Sequence, residues 1–173
     1  MSQPPSRAPG APRDDGRAWH ATAQRVRYSE VDRMGYLWHG HYLALFEEAR
    51  TDWFRAQGLS YRTLEDEGTL LVVAEAGVKY LRAGQFEDLI HVWCSAAEAG
   101  GATLRLEYEV WREHVRLATG WTLLASCDRR GRPRRLPEVL RSVVPASAGG
   151  TGPEWRVVQA APPAPPRGAE GAR

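Results

Sequence analysis

Between Tyr28 and Tyr42 the chain reads Tyr-Ser-Glu-Val-Asp-Arg-Met-Gly-Tyr-Leu-Trp-His-Gly-His-Tyr, which places Asp32 and His39 where a strand-like stretch gives way to a helix-like one. A carboxylate in such a loop acts as a general base toward water, or as a nucleophile toward an acyl carbon, when an electrophile is held within hydrogen-bonding reach. The helix that follows offers the complement. Its first N–H groups have no intrahelical partner and carry the positive end of the helix dipole, so near His39 and Gly40 they bind the oxygen of a polarised carbonyl. A plainer fate is open to the same residues. An Asp followed by x-x-Gly commonly bonds its own backbone in a turn, and a His at a helix start serves as a cap or a buried contact.

A second cluster lies downstream, where Arg129, Arg130, Arg132, Arg134 and Arg135 surround Gly131 and Pro133. Arginine forks suit phosphate oxygens, although charge runs are also common in solvated loops. Glu47 and Glu48, in the helix-like stretch, are rival carboxylates. Glu48 is expected to pair with Arg55 or to remain solvated. Cys94 and Cys127 sit inside apolar runs with no C-x-x-C spacing, so they read as buried free thiols, with no disulfide framework and no metal site. No cofactor is expected.

The elements around these residues follow from periodicity. Thr22 to Tyr28 alternates weakly and reads as a first strand, ended by the turn-like Asp32-Arg33-Met34-Gly35. From Tyr42 the apolar residues recur as Tyr42, Leu45, Phe46, Ala49, Trp53 and Ala56, one face of a helix stopped by Gly58. Ser60 to Glu67 is a shorter helical piece. Then come strand-like runs at Leu70–Leu81, Leu89–Ala97, Thr103–Arg112 and Leu117–Cys127, separated by Ala83-Gly84, Gly100-Gly101 and a polar bend near Glu113-His114. In the third run Leu104, Leu106, Tyr108 and Val110 face one way, and Arg105, Glu107 and Glu109 the other. One long helix among consecutive strands predicts a mainly antiparallel sheet with the helix on one face, and excludes a dinucleotide-binding βαβ sheet.

A length of 173 residues fits one core flanked by tails. Residues 1–18 and 145–173 are rich in Pro, Gly, Ala and Arg and are expected to be disordered tails around a domain at 19–144, with Trp155 to Val158 left within the tail. A formal net charge of only +2 excludes a strong overall field for nucleic acid. No stretch reaches the roughly 20 apolar residues of a membrane span, and the N-terminus lacks a signal-peptide core, so a cytoplasmic protein is expected.

The pattern Tyr-x-x-x-Asp-x-x-Gly-x-x-x-His-x-x-Tyr, followed by Phe-Glu-x-Ala-Arg-x-x-Trp, resembles the 4-hydroxybenzoyl-CoA thioesterase-like branch of hotdog proteins. The likeness continues through Val78-Lys-Tyr-Leu-Arg82, Asp88-Leu-Ile90 and Asp128 to Pro137, and covers about Ala21 to Val144. It implies an α+β hotdog fold, in which a five-stranded antiparallel sheet wraps around one long central helix, and acyl-CoA sites between the subunits of a homodimer or homotetramer. It implies a catalytic role for Asp32, carbonyl polarisation by the backbone N–H of His39, and a polar site role for Tyr28 and His39. Gly35, Trp38 and Tyr42 are then expected to line the substrate, and Arg130, Arg132 and Arg134 to hold the coenzyme A phosphates.

The departures from that pattern bear on the acyl group. Tyr36 and Trp38 are bulky, His41 stands where Asn is frequent, and Ala83 replaces a common Pro, so an aromatic-lined pocket would favour aryl or short acyl groups. Four other readings remain: a non-catalytic acyl-binding hotdog protein, a thioesterase acting on carrier-protein-bound chains, a hotdog dehydratase, and a nucleic-acid-binding barrel. Asp32 and Gly35 count against the first, helix-side motifs against the dehydratase, and near-neutral charge against the barrel.

Overall fold

A computed structural model describes Pro12 and residues 15–144. The first strand, β1, is His20–Arg25, which starts two residues before the stretch that the alternation predicts and ends three residues short of Tyr28. Tyr28 is therefore no strand residue: it opens a 3-10 turn, Tyr28–Glu30, closed by the Glu30 N–H donating to the Arg27 carbonyl. The long helix α1 is His41–Ala56, and a short α2, Tyr61–Asp66, follows. Four strands come next: β2 (Leu70–Tyr80), β3 (Leu89–Ala99), β4 (Thr103–Arg112) and β5 (Val115–Cys127). Sequence periodicity does not reveal the last element, α3 at Glu138–Ser142. It is a single turn held by Leu140, too short to show a period.

All four strand pairs are antiparallel, in the order β1-β3-β4-β5-β2, with α1 against one face of the sheet. This is the expected hotdog arrangement. Helix α1 buries Tyr42, Leu45, Phe46, Ala49 and Trp53 as its spacing predicts. Ala56 is exposed instead, and Phe54 and Arg50 turn inward, where Arg50 donates from Nε to the Tyr61 hydroxyl at 2.9 Å.

The inner face of β4 carries Leu104, Leu106, Tyr108 and Val110, all essentially buried. Phe46 stacks on Tyr108 with ring centres 4.3 Å apart, and the Tyr108 hydroxyl is 2.8 Å from Thr122 Oγ1. Cys94 and Cys127 are free and buried, and burial pushes the Cys94 thiol upward, which keeps it protonated.

On the opposite face the alternation holds but the exposure does not follow it. Glu109 is only 2% exposed, because Trp111 Nε1 donates to it at 2.9 Å and Arg116 at 3.2 Å. Ahead of β1, Arg17 lies over the Trp19 ring and donates to Glu107 at 2.8 Å. The chain thus meets the sheet before the strand begins. Residues 145–173, including Trp155 to Val158, and most of the stretch before residue 15 lie outside the described residues.

Close packing of α1 requires a gap at position 120. A Cβ on Gly120 would stand 2.3 Å from the Phe46 ring and 2.6 Å from the Gly77 carbonyl oxygen. The second of these is backbone within the sheet and cannot swing aside. Gly120→Ala is expected to destabilise the fold by about 1–3 kcal/mol, as overpacking does; the check is the urea midpoint, with the slope unchanged.

Candidate functional site

The loop between the 3-10 turn and α1 is a miniature ladder. Trp38 N–H donates to the Glu30 carbonyl at 2.9 Å, Val31 pairs with Leu37, and Asp32 N–H donates to the Tyr36 carbonyl at 2.8 Å. Gly35 N–H closes the turn on the Asp32 carbonyl at 2.9 Å, and its φ of 80° is one that a residue with a side chain rarely adopts. Leu37 N–H donates to Gly84 and Tyr36 pairs with Gln85, so the segment joining β2 and β3 braces the loop from outside.

Within this frame the Asp32 carboxylate serves the turn with one oxygen only. Its Oδ1 accepts from Met34 N–H at 2.8 Å and from Tyr36 N–H at 3.2 Å, while Oδ2 has no hydrogen-bond partner among the described residues. The turn reading and the chemical reading are therefore compatible. Anchoring Oδ1 fixes the carboxylate, and Oδ2 keeps its lone pairs for a proton or an acyl carbon.

Helix α1 starts directly after the ladder, with Gly40 as N-cap in helical conformation and His41 N–H donating to the Trp38 carbonyl at 2.9 Å. The N–H groups of His39 and Gly40 make no hydrogen bond among the described residues. The Trp38 ring covers Gly40 so closely that a Cβ there would be 2.5–2.9 Å from it. Trp38 also stands 5.2 Å from the His39 ring, and both residues are exposed.

Asp32, Gly35, Trp38 and His39 are thus collected in one loop, and the two other expected residues, Tyr28 and Tyr42, lie on either side of it in sequence. Tyr28 is 79% exposed, with its ring edge-on to Phe86 at 5.6 Å. Tyr42 is buried, edge-on to Tyr80 at 5.2 Å. Burial raises the Tyr42 phenol above its ordinary value, opposed by a hydrogen bond from the Gly84 backbone. Sequence reasoning gave no bonding role to three nearby residues. Glu30 accepts from Arg27 N–H at 2.9 Å and lies 3.3 Å from His41 Nε2, while the Tyr80 hydroxyl donates to the His39 carbonyl at 2.8 Å. Nothing in their spacing marks Glu30 or His41. Tyr80 belongs to the Val-Lys-Tyr-Leu-Arg run, which carried family likeness but no chemistry.

The arginine loop is at the other end of the sheet. Arg132 pairs with Asp128 at 2.8 Å, and the Arg132 N–H it accepts holds the Asp128 carboxyl below its usual range. Arg134 donates to the carbonyls of Glu67 and Gly68, and Arg129 to that of Glu65, so both satisfy the end of α2. The side chains of Arg130 and Arg135 are exposed and make no hydrogen bond or ion pair among the described residues, although the Arg130 backbone N–H donates to Asp128 at 2.8 Å. Arg134 meets the chain just before β2, and Tyr80 closes that strand beside the loop of Asp32. The strand between them, eleven residues long, spans about 33 Å. No group of three or more metal-ligating side chains occurs among the described residues, and no described helix is long and apolar enough to cross a membrane.

Comparison with known proteins places these features among relatives. Residues 34–119 match the sequence model of the Thioesterase superfamily. The chain is 32% identical over 105 residues to the acyl-CoA thioesterase YbgC of Haemophilus influenzae, covering 60% of this chain and 77% of that one. Its structure is similar to that of the DHNA-CoA thioesterase of Staphylococcus aureus at TM-score 0.66 and 28% identity, covering 68% of this chain and 80% of that one. It is also similar to a probable thioesterase from Bartonella henselae, again at TM-score 0.66, with 27% identity and coverage of 69% and 100%.

The double duty of Arg134 has a measurable consequence. Arg134→Ala leaves two carbonyls at the end of α2 without their donor and is expected to lower stability by about 1 kcal/mol, whereas Arg130→Ala should leave the thermal midpoint unchanged. Parallel melts of the two variants check this.

Proposed function

Because the chain belongs to the thioesterase superfamily, we propose that it hydrolyses acyl-CoA thioesters to the free acid and coenzyme A, with Asp32 as the reactive carboxylate. The observation that carries this reading is the division of labour within that side chain: Oδ1 is tied to the turn, and Oδ2 is unbonded in the loop that opens onto the start of α1. In the 4-hydroxybenzoyl-CoA thioesterase-like manner, the His39 N–H takes the thioester oxygen while Oδ2 attacks the acyl carbon or takes a proton from the attacking water. Charge developing on that oxygen meets unbonded donors at a helix start, where the dipole also favours it.

The exposed rings of Tyr36 and Trp38 flank this loop, a setting that suits aryl or short acyl groups. The phosphates of coenzyme A fall to the arginine loop, with Arg130 as one of its two members whose side chains are unpaired. Within one chain, that loop meets the start of β2 and the turn of Asp32 lies near its other end, with about 33 Å of strand between. The arginines that serve a given Asp32 therefore come from another subunit of a homo-oligomer.

Asp32→Asn tests the core of the proposal. The amide oxygen retains both turn hydrogen bonds, so melting and assembly should match the parent, while kcat falls by a factor on the order of 10²–10⁴. Free-thiol release from a panel of aryl-, short-, medium- and long-chain acyl-CoAs measures this and ranks the substrates. Retention of near-parent kcat would move attention to Glu47.

Arg130→Ala should raise KM for acyl-CoA and leave hydrolysis of the matching acyl-pantetheine unchanged, since it removes uniform binding only. Co-refolding it with Asp32→Asn yields oligomers with one intact site. Activity at low acyl-CoA should then exceed the mean of the two parents, and strict averaging would place both groups on the same subunit or separate them altogether.

A further inference from the structure

Two successive peptides precede α1, and both have their carbonyl oxygens taken while their N–H groups are unbonded. In the Trp38–His39 peptide the oxygen accepts from His41 N–H at 2.9 Å. In the His39–Gly40 peptide it accepts from the Tyr80 hydroxyl, reaching across from the end of β2, at 2.8 Å. A trans peptide is planar and points its C=O and N–H in opposite directions. Gripping the His39 oxygen from the β2 side therefore turns the Gly40 N–H away from β2.

We propose that Tyr80 is a positioning residue for the hydrolysis: by donating to the His39 carbonyl it aims the Gly40 N–H, beside that of His39, at the thioester oxygen. The inference rests on the reading above, in which the start of α1 polarises the acyl carbonyl, and adds a second donor and the group that holds it. A hydrogen bond to a peptide oxygen also polarises the N–H on its far side, so the Tyr80 bond strengthens the donor it orients.

The surroundings keep this peptide from relaxing. The Tyr80 ring is fixed edge-on against the buried Tyr42 at 5.2 Å. The first helical residue, His41, is clasped to Glu30 at 3.3 Å, and the Glu30 carbonyl anchors Trp38 N–H. The bend holding His39 and Gly40 is therefore tied at both ends, with Tyr80 bonded to its middle. Gly40 has no Cβ, and the Trp38 ring packs where one would stand, so the unbonded N–H groups of His39 and Gly40 are what this bend has to offer a ligand oxygen.

Tyr80→Phe keeps the ring contact with Tyr42 and removes only the hydroxyl. It is expected to lower kcat about tenfold, the worth of one positioned hydrogen bond, with KM and the melting temperature unchanged. Tyrosines bearing one or two ring fluorines at position 80 are stronger donors of nearly the same shape. Assayed below the pH at which they ionise, they should raise kcat in order of donor strength.

Asp32→Asn run alongside separates the two levels of the argument. Inactive Asp32→Asn with parent-like kcat in Tyr80→Phe would overturn the role of Tyr80 alone, as would a kcat loss matched by a lower melting temperature and no response to fluorination. Active Asp32→Asn would overturn the carboxylate reading, with the fluorine series still deciding whether the His39–Gly40 peptide contributes.

Discussion

Phe46 reaches the sheet because residue 120 has no side chain. With its ring on Tyr108 and its edge over Gly120, α1 sits as deep as the backbone of β5 allows. That depth fixes the rest of the helix as a rigid rod, including its first turn. The N-terminus of α1 comes to rest beside the end of β2, and the Tyr80 hydroxyl meets the His39 carbonyl there. The packing constraint in the core is therefore also the constraint that sets where backbone donors stand in the site.

The loop between them is rigid for local reasons. It contains a turn closed by Gly35, a one-pair ladder between Val31 and Leu37, and braces from Gly84 and Gln85. A carboxylate fixed by two backbone N–H groups has little freedom left to lose, which is the preorganisation that the proposed chemistry would need. The same bonds leave one oxygen of Asp32 over: a carboxylate has two, and the turn needs only Oδ1.

Charge is handled pair by pair across the molecule. Arg17 and Arg105 lie against Glu107, Arg116 against Glu109, Arg112 against Asp88 and Arg132 against Asp128. Arg17, Arg105 and Arg116 also stack on Trp19, Trp121 and Trp111. A nearly neutral chain with many arginines thus presents few unpaired ones among the described residues. In the loop where five cluster in sequence, backbone carbonyls and Asp128 take three, and Arg130 and Arg135 are left to face solvent.

The sequence by itself determined the helix from its three-and-four spacing, the strands from alternation and glycine punctuation, and the turn at Asp32 from its Gly35 partner, because each is a local pattern set by backbone geometry. It could not place Tyr28. A ring that in sequence continues an alternating strand sits instead on a short 3-10 turn, and only the packed sheet, which ends β1 at Arg25, decided that it faces outward. Nor could it join Tyr80 to His39, 41 residues away, or divide the arginines into paired and unpaired. Those are contacts between distant segments, fixed by how deep the helix lies and where each strand ends, and they exist only once the chain has folded.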